Sequence, residues 1–157
     1  MPGEALLLGI ATIAVAIAGF TAVTSTLVPP GGAWHPAMRI RQRAIVSTSF
    51  NVVFESLAAL IVFAWLGDAR QALVVASAGV AIYATGIVVW RGRQMVRAGG
   101  KRTGAAVALF ALGPIATLLF YANALAFGSL AIYALALSVQ LSVAVVSFYS
   151  LVSAAQG

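Results

Sequence analysis

Between Gly104 and Ala155 the chain carries no acidic or basic residue. That run far exceeds the roughly 20 apolar residues one helix needs to cross a bilayer. It must therefore break within itself. Phe127-Gly128-Ser129 is the natural break and divides the run into segments 104–127 and 129–153. Gly113-Pro114 lies midway along the first. Proline there removes the amide that would bond the carbonyl of Phe110 and kinks the helix. A single interrupted span with a re-entrant turn is the alternative.

Three further apolar segments precede this run, at 5–28, 44–66 and 71–90. Of the 157 residues, 62% are hydrophobic and 8% charged, whereas about a quarter of a soluble domain is charged. The expected fold is all-α: a polytopic transmembrane helical bundle of five predicted spans, or four plus a re-entrant segment. It forms a single integral-membrane domain over 1–157. The N-terminus lacks the basic opening of a signal peptide and carries Glu4, an acid suited to the first turn of a helix.

The connections are legible as punctuation. Pro29-Pro30-Gly31-Gly32 stops the first segment, and Pro36 suits the first turn of the next helix. Ala37 to Arg43 forms a basic, interfacial opening to the second segment. Gly67-Asp68-Ala69-Arg70 is a tight turn. The third helix extends past the membrane through Arg91, Arg93 and Arg97 and ends at Gly99-Gly100. Trp34, Trp65 and Trp90 stand where indole rings favour the membrane–water boundary.

The net charge of +6 does not point to nucleic acid, because every Lys and Arg lies outside the apolar segments. Arg39, Arg41 and Arg43 fall in the first connection, and Arg91, Arg93, Arg97, Lys101 and Arg102 in the third. Only Arg70 lies on the other side, beside Asp68. The positive-inside rule makes the basic side cytoplasmic. The N-terminus is then outside and, with five spans, the C-terminus inside. The basic residues are expected to contact anionic lipid headgroups, each charge contributing about 1 kcal/mol near the surface.

Glu55 sits at the midpoint of the second segment. An acid at that depth costs about 3 kcal/mol and needs neutralisation, hydration or a partner. No Lys, Arg or His occurs within any predicted span. Three options are open: a neutral, hydrogen-bonded acid; a cation or cationic substrate held at the carboxylate; or a partner group on another chain. Thr48 and Asn51 share its helical face at i−7 and i−4. Gln140 and Pro114 lie near the middle of their own segments, so Glu55, Asn51, Thr48, Gln140 and Pro114 are the candidate mid-membrane polar site. Tyr121 and Asn123 are expected near the outer end, in reach of water and without a special role.

The remaining residues exclude several chemistries. There is no cysteine, so thiol catalysis and thiolate metal sites are absent. His35, the only histidine, stands alone in a linker, which argues against a metal site and against a bis-histidine haem. Lys101, the only lysine, is in a loop, which excludes a buried Schiff base. No nucleophile–base pair or phosphate loop is present. Neither cofactor nor metal is expected, and catalysis is not the favoured class.

Gly19-Phe20, Trp34, Pro36, Arg39 and Ser49 resemble an uncharacterised group of small bacterial multi-span membrane proteins. That likeness covers the first third of the chain and implies a bacterial cytoplasmic (inner) membrane but no activity. The order Arg43, Asn51, Glu55 resembles the membrane-associated eicosanoid and glutathione metabolism family, whose second span carries Asn-x-x-Glu after an Arg-rich loop. Here Asn51 and Glu55 are four apart, Arg43 is farther upstream, and a fifth span exceeds that family's four, so no glutathione site is carried over.

Two function classes follow. One is a proton- or cation-linked transporter or channel-like protein with Glu55 as its titrating group. The other is a non-catalytic accessory subunit of a larger membrane complex; a membrane-embedded glutathione-type enzyme is a remote third. Small-residue faces at Ala14/Ala18 and Ala58/Ala59 invite close helix contacts and suggest a homo-oligomer or hetero-complex in the lipid bilayer.

Overall fold

The computed structural model describes residues 1–26, 36–98 and 104–155. The helices are α1 (Glu4–Thr26), α2 (Pro36–Leu66), α3 (Ala69–Ala98), α4 (Gly104–Ala122) and α5 (Leu130–Ala155). A π-helical stretch, Asn123–Phe127, continues α4 without a break. No strand occurs among the described residues. Four helices are long and apolar enough to cross a membrane, over Glu4–Val23, Gln42–Leu66, Ala69–Trp90 and Leu130–Tyr149. A shorter apolar helix covers Ala111–Phe127.

Local chemistry sets the boundaries. Gly67 closes α2: its φ is 71° and its amide donates to the carbonyl of Phe63 at 2.9 Å. Asp68 then caps α3, its Oδ1 accepting from the amide of Gln71 at 2.7 Å. α2 begins at Pro36 and α3 runs on to Ala98. The basic stretches at 37–43 and 91–97 thus extend the two helices beyond their apolar segments, as expected from the sequence. Residues 99–103, with the expected stop at Gly99-Gly100, lie outside the described residues, as do Trp34 and His35.

The packing partners define the bundle. α2 packs on α1, α3 and α5; α5 packs on α1, α2 and α4; α3 packs on α4. Among the described residues α1 does not reach α3 or α4, and α2 does not reach α4. The cross-section is therefore a three-helix corner of α1, α2 and α5 joined to a four-sided ring of α2, α3, α4 and α5. Gly3 lies against the side chain of Leu130, and Gly128 against Arg70 and Val74. The N-terminus, the α2–α3 turn and the α4–α5 turn thus share one end of the bundle. The basic start of α2 and the basic tail of α3 lie at the other.

The surface is inside-out relative to a soluble domain. Leu6, Phe20, Phe54, Ile82, Leu118 and Leu135 all point outward, which in water would form patches far larger than soluble monomers carry. Trp65 and Trp90 are exposed near opposite ends of the apolar windows of α2 and α3. The interior is built from small residues that allow close helix approach. Ala14, Ala18 and Ala59 are buried there, so those small faces are used inside the chain. Only Ala58 of the four is half-buried. Several hydroxyls within the bundle back-bond one turn earlier, as with Ser56 to Val52 at 2.7 Å and Thr21 to Ile17 at 2.8 Å, while the buried Ser49 Oγ has no partner among the described residues.

Candidate functional site

α2 presents Thr48, Asn51 and Glu55 on one face, as helical spacing requires. Glu55 is 4% exposed. At its level the helices are tied together by Tyr133 of α5, which is fully buried. The Tyr133 hydroxyl donates to the main-chain carbonyl of Glu55 at 2.5 Å. Its ring meets Phe120 of α4 edge-on, with centroids 5.2 Å apart and planes at 71°.

Inside the four-sided ring is a cavity of about 80 Å³. α2 contributes Thr48, Asn51 and Glu55; α4 contributes Gly113, Pro114 and Thr117; α5 contributes Gln140; α3 closes it with Ala84, Ile87 and Val88. Among the described residues α1 contributes none of the lining. The five mid-membrane residues named from the sequence, on three different helices, therefore line one space. Pro114 and Glu55 line it from α4 and α2, the pair within the ring that does not pack together among the described residues.

The cavity's polarity is uneven. Gln140 is the hydrogen-bonding side chain beside the carboxyl. Glu55 Oε2 is buried and has no hydrogen-bond partner among the described residues. No Lys, Arg or His lines the space, and no group of metal-ligating side chains forms among the described residues. Pro114 has no amide to offer the carbonyl of Phe110, and Thr117 Oγ1 donates to the Gly113 carbonyl at 2.9 Å. Asn51 is engaged from α3: the Tyr83 hydroxyl donates to its Oδ1 at 3.2 Å. A water needs about 30 Å³ of liquid volume. The cavity thus takes a few waters or one small cation, but not an organic substrate.

Arg43 is exposed and stands apart from the cavity, so it does not join Asn51 and Glu55. Arg93 is also exposed. Arg39, Arg41, Arg91 and Arg97 lie on the described helices at the end that Arg43 and Arg93 occupy, while Lys101 and Arg102 lie outside the described residues.

Asn123 departs from the sequence expectation. It is fully buried, not placed in water. Its Nδ2 donates to Ser77 Oγ of α3 at 2.8 Å, and its Oδ1 accepts from the Ser129 amide at 2.7 Å. Its carbonyl accepts from the Gly128 amide at 2.8 Å, the wide closure that makes the last turn π-helical. Gly128 adopts φ 58°. Asn five residues ahead of Gly-Ser was the available signal for this cap. Tyr121 is also engaged within the bundle, its hydroxyl 3.1 Å from Thr85 Oγ1. Tyr133 had no local signal at all, since its partner lies on another helix.

No protein-family model matches the chain, and neither the curated proteins nor the solved structures contain one similar to it. The two likenesses noted above therefore rest on their residues alone.

Proposed function

We propose that this is a proton- or cation-linked transporter or channel-like protein, with Glu55 as the group that takes up and releases the charge. The observation that carries the reading is the Glu55 carboxyl, buried beside a small cavity with Oε2 unpartnered and no basic side chain in the lining among the described residues. A purely structural acid in an apolar bundle would have its hydrogen-bonding capacity filled. This one keeps an unpartnered oxygen, in a residue that lines a space fitting water or a small cation. The five helices cross a bacterial cytoplasmic membrane, with the N-terminus outside and the C-terminus inside. Arg43, Arg93 and their neighbours contact anionic headgroups on the cytoplasmic face.

The test is the Glu55→Gln variant in proteoliposomes, with an internal pH indicator and an imposed proton or monovalent-cation gradient. Glutamine keeps the shape and a hydrogen-bonding amide but cannot titrate. The expected result is flux in the wild type and none in the variant, with unchanged elution and helical content. Equal flux in both would overturn the reading and leave Glu55 as a helix-packing group.

A further inference from the structure

Glu55 and Asn51 line a second space besides the inner cavity. On the outer face of α2 and α3 a groove of about 490 Å³ is walled by Phe54, Ala58, Gly79 and Tyr83, with Asn51 and Glu55 in its floor. Its remaining lining is aliphatic. On α2 it extends from Asn51 to Val62, about 16 Å at the rise of an α-helix. Phe54 and Tyr83 are both more than half exposed beside it. A side chain added at Gly79 would meet nothing within 4 Å.

The two spaces differ in what they admit. The inner cavity is too small for an organic molecule, whereas the groove falls within the roughly 300–1,000 Å³ of small-molecule sites. Its walls are apolar and aromatic and open sideways, where lipid would lie. Its one ionisable carboxyl is the buried Glu55, with an unpartnered oxygen. The polar side chains lining the two spaces with it are Thr48 and Asn51 on α2, Tyr83 on α3, Thr117 on α4 and Gln140 on α5, while Tyr133 of α5 bonds its main-chain carbonyl. None is a cation. An occupant that complements both walls and floor carries apolar surface and one positive charge, which aromatic rings also attract.

We propose that the α2–α3 groove is a lateral binding site for lipophilic monovalent cations, entering from the bilayer and pairing with the Glu55 carboxylate. The proton on Glu55 leaves to the aqueous side as the cation arrives, so one positive charge replaces another. This rests on the reading of Glu55 as the charge-exchanging group and names its substrate class. The inner cavity is then the proton's side of the site and the groove the substrate's.

The experiment measures binding of tetraphenylphosphonium to the full chain in lipid nanodiscs, with tetramethylammonium as a charged probe lacking apolar bulk. Expected are proton release on tetraphenylphosphonium binding, and weakening by roughly tenfold or more in Glu55→Gln and, separately, in Gly79→Leu, which fills the groove. Tetramethylammonium should bind more weakly by a similar factor. In wild-type protein, tetraphenylphosphonium should also protect Glu55 from labelling by dicyclohexylcarbodiimide, a readout that needs no variant. Tetraphenylphosphonium binding that is absent, or unchanged in Gly79→Leu, overturns the groove assignment. So does a dimer that Gly79→Leu splits into monomers, which would make a second copy the occupant. If Glu55-dependent proton flux persists without tetraphenylphosphonium binding, the groove assignment fails alone; if flux is also absent, both readings fail.

Discussion

Tyr133 on α5 donates a hydrogen bond to the main-chain carbonyl of Glu55 on α2, across 2.5 Å in the buried centre of the bundle. The residue that carries the buried acid is thereby held by its backbone while its side chain lines the cavity. The tie also reaches α4 through the edge-on contact of Tyr133 with Phe120. Positioning of the carboxyl thus depends on three helices of the ring.

Tyr133→Phe should keep the ring contact and lose only the hydrogen bond, at a cost of about 1 kcal/mol. Tyr133→Ala should also leave a cavity, at a cost of about 3–5 kcal/mol. Denaturant unfolding in detergent measures both. A Phe variant indistinguishable from wild type would show that the bond contributes nothing to stability.

Asn123→Ala removes the bonds to Ser77 and to the Ser129 amide together. Leaving those groups unpaired should cost about 1–3 kcal/mol. Asn123→Asp puts a carboxyl into a fully buried site with no basic partner, so near neutral pH it should cost at least as much as Ala. Amide hydrogen exchange at Ser129 should speed up in both variants. Equal exchange in all three would contradict the cap.

Two glycines with positive φ separate backbone strain from crowding. Gly67→Ala places a methyl in open space, so it should cost only the left-handed strain of about 1–2 kcal/mol. Gly128→Ala adds a Cβ 2.8 Å from Arg70 Cγ and 3.0 Å from Val74 Cγ2. It should be the more damaging of the pair by thermal unfolding. The reverse order would argue against the packing of the α4–α5 turn on α3.

Reporter fusions test orientation. A C-terminal reporter active only in the cytoplasm should give signal, and one active only outside should not. A reporter inserted at Gly67-Asp68 should behave in the opposite way, because that turn lies at the end of the bundle away from the basic residues. Matching signals from both positions would overturn either the orientation or the five-span count.

The helices, the breaks at Gly67-Asp68 and Gly128-Ser129, and the segregation of basic residues to one end follow from sequence, because each depends on apolar length, turn residues and charge placement along the chain. The shared face of Thr48, Asn51 and Glu55 follows as well, since helical spacing is local. That Gln140 and Pro114 stand at similar depth to Glu55 came from counting residues within each segment.

Only the tertiary structure decided which helices enclose that depth and which way each is rotated. In a soluble protein, apolar residues mark the buried face. Here both lipid and core are apolar, so hydrophobic periodicity does not distinguish them. Ala14, Ala18 and Ala59 read equally well as faces for another chain, yet they are buried within this one. Asn123 read as solvated by its nearness to a turn, and the rotation of α4 instead aims it at Ser77. Tyr133 and Glu55 meet only because α5 lies against α2, a non-local contact set by how small residues let helices approach rather than by any pattern along either one.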